Sequence, residues 1–334
     1  MYKKCRKRDK NIVLLNAQNK NNCPKLRKEE FYYDSEDNKT QIHAIRWIPI
    51  GEIRCILQIS HGMLEHIERY DDFARALVEK GVFVVGNDHL GHGSSLLREE
   101  DRGYFCQDDG NTVLIEDIYN LMKIIKNKYP TAPYFLLGHS MGSFLVRQFI
   151  SIYGDDIDGA IIVGTGHQPY GLIKLGQLVI AFISVFKGWK YRSRFVNYLA
   201  IGGYNKKFEP SRTSVDWLSR DEEVVDKYLA DSRITFIFTL NAYYNMFKGM
   251  SYLYKKQFIE KIPKELPIKL LSGKNDPVGR FGKDVKKVYD EYISLGMKNV
   301  SLKLYDDYRH EIINELNKEV VYNDIINWLS EMIS

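Results

Sequence analysis

Cysteine is scarce in this chain. Cys5, Cys23, Cys55 and Cys106 are the four among 334 residues, and none forms a CxxC pair or a zinc-type spacing. That excludes a disulfide framework and a structural zinc knuckle, and predicts free thiols in a reducing compartment. Long apolar runs are missing too. The longest, Leu178 to Phe186, is broken by Ser184 and reaches about half of the ~20 residues that a bilayer span needs. Near the start, Ile12-Val13-Leu14-Leu15 is too short for a signal peptide and no plausible cleavage site follows it. The expected location is cytoplasmic, at most peripheral at the membrane surface.

A broad excess of one charge is also lacking. The net charge is +5, but residues 1–30 alone hold ten Lys/Arg against three acids, a surplus of seven that leaves the rest of the chain at −2. A nucleic-acid reading would therefore rest on the tail alone, and no nucleic-acid partner is expected. Residues 1–28, rich in Lys, Arg and Asn without apolar periodicity, are expected to form a basic, disordered extension, either solvated or tethering the chain to an anionic membrane. No internal repeat appears, and no low-complexity segment beyond that tail.

What is present is ordinary globular material, 44% hydrophobic and 27% charged, enough for a large core. From Glu29 onward, short apolar runs alternate with helical patterns. Strands are expected over Ile42–Ile48, Cys55–Ser60, Val82–Gly86, Tyr134–Leu137, Ala160–Val163, Ile268–Leu271 and Val300–Leu304. Helices are expected over Asp71–Lys80, from Asn111 or Thr112 to Lys128, and over Met141–Ile152, Phe281–Ser294 and Glu319–Ile333. Repeated strand–helix units imply a mostly parallel sheet with helices on both faces. The rhythm breaks between 165 and 263, a Tyr- and Phe-rich, helical stretch read as a cap inserted into a core of 29–164 and 264–334. Within it, Leu172–Phe186 is apolar on nearly all sides. It fits either a lid that meets an acyl chain or membrane, or a helix buried against the core.

Chemistry on such sheets gathers at strand-to-helix turns. Gly138-His139-Ser140-Met141-Gly142 lies directly between a strand and a helix, where a sharp turn lifts a serine hydroxyl above the sheet and flanking glycines permit close packing. A serine hydroxyl is a weak nucleophile without a base. Of eight histidines only His167 and His310 follow Ser140. His167 comes too soon for an acid-bearing strand to precede it, whereas His310 follows the last expected strand. The acid should end the strand between them, and Asp276 in Ser272-Gly273-Lys274-Asn275-Asp276-Pro277 does so. Asp306 and Asp307 are rivals, only a few residues before His310. The order Ser, Asp, His is that of the α/β-hydrolase fold. The oxyanion donors expected there are the backbone N–H of Met141 and that of Met63, in the loop after Cys55–Ile59. No cofactor or metal is expected. His89 and His92 in Asp88-His89-Leu90-Gly91-His92-Gly93-Ser94 lack further ligands, and this segment is better read as a glycine-rich loop beside the site.

At this point the chain resembles the monoacylglycerol lipase and lysophospholipase branch of the α/β-hydrolases, from about residue 29 to the end. The resemblance rests on His61-Gly62-Met63-Leu64-Glu65-His66 with Arg69-Tyr70, on Asp88 to Ser94 and on the serine motif. It also rests on Ser219-Arg220-Asp221 to Ala230-Asp231, and on His310-Glu311 with Asn314-Glu315. It implies the triad Ser140, Asp276 and His310, and an oxyanion hole at the Met63 and Met141 amides. Glu65 and Arg69 fall on polar residues near the family's alcohol pocket, while Ile313 stands where the mammalian enzyme has a second histidine. The expected function is hydrolysis of lipid-like esters, monoacylglycerol or lysophospholipid, through an acyl-serine. Peripheral membrane contact through the cap or the basic tail is a candidate. A short-chain carboxylesterase, a thioesterase, a serine aminopeptidase or a non-catalytic lipid-binding homologue are the alternatives.

Overall fold

The computed structural model describes residues 26–334. Eight strands form one sheet: β1 (Leu26–Asp34), β2 (Gln41–Pro49), β3 (Cys55–Ser60), β4 (Val82–Asn87), β5 (Tyr134–His139), β6 (Gly159–Val163), β7 (Ile268–Gly273) and β8 (Val300–Tyr305). Their order is β1-β2-β4-β3-β5-β6-β7-β8. β1 and β2 pair antiparallel, as do β2 and β4, and every later pair is parallel. The central strands β3, β4, β5 and β6 are buried along their whole length. That is why their sequences read as continuous apolar runs rather than alternating ones. β1 begins at Leu26, so the basic extension was drawn too long by three residues. Lys28 is held there by Asp71 at 3.0 Å and pairs in register with Trp47. The rest of the proposed extension, 1–25, lies outside the described residues.

The helices are α1 (Asp71–Val78), α2 (Gly110–Lys128), α3 (Met141–Tyr153), α4 (Tyr170–Lys187), α5 (Arg194–Ile201), α6 (Glu222–Ala230), α7 (Leu240–Tyr252), α8 (Lys256–Ile259), α9 (Lys283–Ser294) and α10 (Lys318–Met332). One core layer packs α2, α3 and α9 on one face of the sheet, the other packs α1 and α10 on the opposite face. α2 is capped by Asp109, which accepts from the Thr112 N–H, so the cap lies earlier than Asn111 or Thr112. α3 carries the least choice of any element. Eleven of its residues are buried, because it runs beneath α7 and against β5 and β6. Each fully buried Leu, Ile or Phe there contributes ~1.5–3 kcal/mol.

Between β6 and β7 come α4 to α8 and no sheet strand. α4 packs on α7, and α7 in turn on α2 and α3. Its buried stripe is Ile173, Gln177, Ile180 and Ser184. Its outward side carries Leu178, Phe182, Val185 and Phe186, 67–78% exposed. Usual amphipathicity is reversed here. Of the two readings open for Leu172–Phe186, burial against the core does not hold, since only 22% of the helix is buried.

Candidate active site

The site starts at the end of β5. Ser140 stands between β5 and α3 with φ 52° and ψ −117°, a strained conformation for a residue with a side chain. Its N–H donates to the Val163 carbonyl (3.0 Å), and its own carbonyl accepts from the Ser143 N–H (2.9 Å) and hydroxyl (2.6 Å). The flanking glycines are required by contact. A Cβ on Gly142 would lie 2.0 Å from the Ser60 carbonyl oxygen, and one on Gly138 would lie 2.4 Å from the Gly142 oxygen. Strand end, turn and helix are thus pressed together, and Ser140 is pushed up at the carboxyl edge of the sheet.

The other two side chains arrive from the next strand ends. Asp276 follows β7 and is wholly buried; Oδ1 accepts from the Val278 N–H (2.8 Å) and Oδ2 lies 3.0 Å from His310 Nδ1. His310 sits on the loop after β8. Gly164, at φ 60°, ends β6 beneath them, and a Cβ there would lie 3.1 Å from His310 Cε1. Asp306 and Asp307 are exposed, and Asp306 is paired with Lys274. His167 is elsewhere, hydrogen-bonded to the Tyr254 hydroxyl through Nδ1 (2.8 Å), with burial as the main cause holding it down to about 4. Ser140 and His310 face one cavity of about 420 Å³, together with Gly62, Met63 and Met141. The loop after β3 that carries Gly62 and Met63 lies close by, since a Cβ on Gly62 would be 3.0 Å from Ser140 Cβ.

That loop is braced from below by the histidine-rich segment. His61 Nε2 accepts from the His89 N–H (2.9 Å), which leaves its Nδ1–H to donate to the Gly62 carbonyl (2.8 Å). Asp88 accepts from the N–H groups of Ile67 and Ser94 (2.8 Å each) and faces His43 Nδ1 at 2.8 Å. Burial alone would push that carboxyl up, but His43 and its other donors hold it down to about 2. Burial holds His61 and His89 low and His92 at about 3, so these rings are neutral spacers. Among the described residues no group of three ligating side chains is arranged to hold a metal ion.

Beside the serine is a buried charged cluster. Glu65 accepts from the Gly62 N–H (2.6 Å), the Tyr70 hydroxyl (2.9 Å) and Arg69 (2.5 Å), with His139 Nδ1 at 3.2 Å. Its burial opposes ionisation, yet His139 and Arg69 hold its carboxyl well below the usual range. Arg69 also grips Glu311 through two hydrogen bonds (2.9 and 2.7 Å) and lies over the Tyr228 ring. Glu65 faces the cavity; Arg69 does not, and stands one layer behind it. Glu311, Tyr228, Trp217 and Tyr204 do face it. Sequence reasoning passed over these four as site residues, although Glu311 adjoins His310 and that adjacency was the available signal.

Elsewhere the cavity wall is apolar: Leu172, Ile173, Val179 and Ile180 of α4, Val196 and Leu199 of α5, Phe144 of α3, and Met246, Phe247 and Met250 of α7. A strained serine after a parallel strand, an imidazole–carboxylate pair over the adjoining strand ends and an apolar roof define a serine hydrolase of the α/β-hydrolase class, in its ester-cleaving branch. The family described as serine aminopeptidase, S33, matches residues 51–317, and the chain belongs to it. The human monoglyceride lipase is 29% identical over 294 residues, 85% of each chain. The rat monoglyceride lipase is 27% identical over 297 residues, 86% of each. A thermostable carboxyl esterase from Bacillus coagulans, solved with glycerol, is 28% identical with a TM-score of 0.84, covering 92% of this chain and 99% of its own.

Proposed function

We propose that this protein hydrolyses monoacylglycerol-type esters of long-chain fatty acids. Ser140 Oγ attacks the ester carbonyl while His310 takes its proton, and Asp276 holds the imidazole tautomer. The Met63 and Met141 amides receive the developing oxyanion, each contributing about 3 kcal/mol to barrier lowering. His310 then protonates the leaving alcohol and activates water to free the acid. The observation that carries this reading is a cavity with two unlike parts: an apolar wall built from α4, α5 and α7, and a carboxylate pair beside the serine.

That pair selects among head groups. Glu65 and Glu311 are acceptors for the hydroxyls of a neutral polyol. Arg69, the cation between them, directs three hydrogen bonds to these two carboxylates and stands behind the wall. A phosphate brought within ~5 Å of either carboxylate meets a repulsion of roughly 3 kcal/mol per unshielded pair at intermediate dielectric. The test is turnover of monoacylglycerols, lysophosphatidic acid, lysophosphatidylcholine and aminoacyl amides by wild type and Ser140→Ala. Neutral monoacylglycerols should be preferred and the variant inert; preference for lysophosphatidic acid or aminoacyl amides rejects the proposal.

The outward face of α4 favours a second statement, that the cap rests on a membrane surface on the cytoplasmic side. Leu178, Phe182, Val185 and Phe186 are more than 60% exposed, and Phe195 and Tyr198 of α5 extend the patch. By length and composition alone, the 18 residues of α4 are long and apolar enough to cross a bilayer. Its inner stripe, however, lines the cavity through Ile173 and Ile180, which fits a helix lying in the interface. The buried free thiols Cys55 and Cys106 agree with a reducing compartment. Phe182→Ser with Phe186→Ser should abolish flotation with anionic vesicles while leaving soluble-ester turnover intact; unchanged flotation rejects this part.

A further inference from the structure

The imidazole of His310 is flanked by two rings that come from different parts of the fold. His139, on the core strand just before Ser140, has its ring centroid 4.8 Å away. Trp217, in the cap between β6 and β7, has its centroid 5.1 Å away at 41° to the imidazole plane. The indole is backed in turn by Tyr204 at 4.9 Å.

Trp217 is stitched into place. The cap strap 216–220 bonds along the loop that carries the histidine: the His310 N–H donates to the Trp217 carbonyl (3.4 Å) and the Glu311 N–H to the Leu218 carbonyl (2.7 Å). Arg309 Nη1 donates to the carbonyls of Asp216 (2.5 Å) and Ser219 (3.0 Å), and the Ser219 hydroxyl to the Asn314 carbonyl (3.1 Å). Glu315, whose side chain is 0% exposed, accepts from Arg220 through its N–H (3.0 Å) and Nε (2.9 Å), and from the Arg309 N–H (2.9 Å). A cap that swung away as one body would have to break all of these. The strap therefore belongs mechanically to the histidine loop, while α4 and α5 meet the cavity through apolar side chains.

We infer that Trp217 is a positioning residue for the base. Its indole face, within cation–π reach of His310, stabilises the imidazolium that forms when the Ser140 proton arrives. This rests on the reading of His310 as base. The other charged and titratable groups around the ring are Asp276 at Nδ1, His139 with Glu65 behind it, Glu311 with Arg69, Arg309 on the strap, and the Tyr204 phenol behind the indole. Glu65 draws His139 toward its protonated form against the opposing effect of burial, and a charged neighbour there disfavours a second cation on His310. The electron-rich indole offsets that repulsion.

Two roles for Trp217 predict opposite signs. If the indole stabilises the cation, removing it moves the acid limb of kcat/KM to lower pH. If it only shields the imidazole from water, removing it admits solvent, favours the cation and moves the limb upward. The experiment is the pH profile of full-length wild type and Trp217→Leu with 4-nitrophenyl butyrate, scaled by fluorophosphonate titration of active sites. The expected result is an acid limb lower by about half a pH unit and a plateau about 3- to 10-fold lower. A limb that stays put or rises overturns the proposal. Fluorotryptophan incorporation into wild type provides a measurement without a packing change, because Trp47, Trp189 and Trp328 contact other rings or core residues and not His310. Successive fluorination should lower the limb stepwise, and a limb insensitive to it also overturns the proposal. His310→Ala separates the two readings. If that variant keeps wild-type turnover, the base assignment itself fails; if it is inert while the limb ignores Trp217, only the indole's role fails.

Discussion

Replacing Arg69 by methionine keeps most of the apolar stem but removes the cation shared by Glu65 and Glu311. Both carboxylates are almost wholly buried, at 3% and 1% exposure, and Arg69 supplies one hydrogen bond to the first and two to the second. Breaking a buried ion pair by deleting one partner typically costs about 3–5 kcal/mol. The loss has a ceiling, because one carboxylate can escape by taking up a proton. For a glutamate of ordinary pKa, ~4.3, that uptake costs about 1.4 kcal/mol per pH unit above this value, so roughly 4 at pH 7 and 1 at pH 5. The sign follows for wild type as well. The depressed pKa of Glu65 stabilises the fold above the unfolded value, and this is lost as pH falls through the folded one. In Arg69→Met the dependence reverses, and stability falls as pH rises from 5 to 7. Urea denaturation of both proteins at the two pH values measures it. The expected destabilisation is about 4 kcal/mol at pH 7 and about 1 at pH 5. A loss below 1 kcal/mol at pH 7, or an equal loss at both, refutes the reasoning.

Ser140→Gly should be inactive yet more stable by about 1 kcal/mol in thermal unfolding, because glycine relieves the strain at φ 52°. Gly142→Ala should fold poorly or lose at least 100-fold in kcat/KM, since its Cβ meets the Ser60 carbonyl at 2.0 Å and backbone there cannot yield without shifting the oxyanion loop. Asp117, buried and accepting from Ser35 Oγ and the Glu36 N–H, has its carboxyl pushed up to about 7, chiefly by burial. A raised acid favours the fold while protonated, so it makes stability decline between about pH 4 and 7. Asp117→Asn, which mimics the protonated form, should remove that slope and raise the melting temperature at pH 8 but not at pH 4.

The sheet was readable because its central strands are covered on both sides. Continuous apolar runs such as Val82–Val85 and Ile161–Val163 have no other comfortable place. β1 was not read as a strand, since its first residues, Leu26-Arg27-Lys28, share the basic composition of the tail and lie on an edge where register comes from β2. Ser140, Asp276 and His310 could be proposed from the sequence because each follows a strand, and the order of strand ends dictates the order of the side chains. The Glu65–Arg69–Glu311 cluster was only half legible. Arg69 and Glu311 are 242 positions apart, and no local period links them. Trp217 carried no signal at all: an aromatic in a helical cap looks like packing until the strap is seen along the histidine loop.

Composition and local pattern determined the layers, the turn that raises the serine and the chain order of the groups around it. These are settled by contacts within a few residues, where glycine, apolar runs and strand ends leave few alternatives. The tertiary structure decided which carboxylates face the cavity, that Arg69 stands behind them, that the cap strap is tied to the histidine loop, and that α4 turns its apolar side outward. Each of those depends on side chains far apart in sequence meeting at a particular distance, and on burial that no single segment specifies by itself.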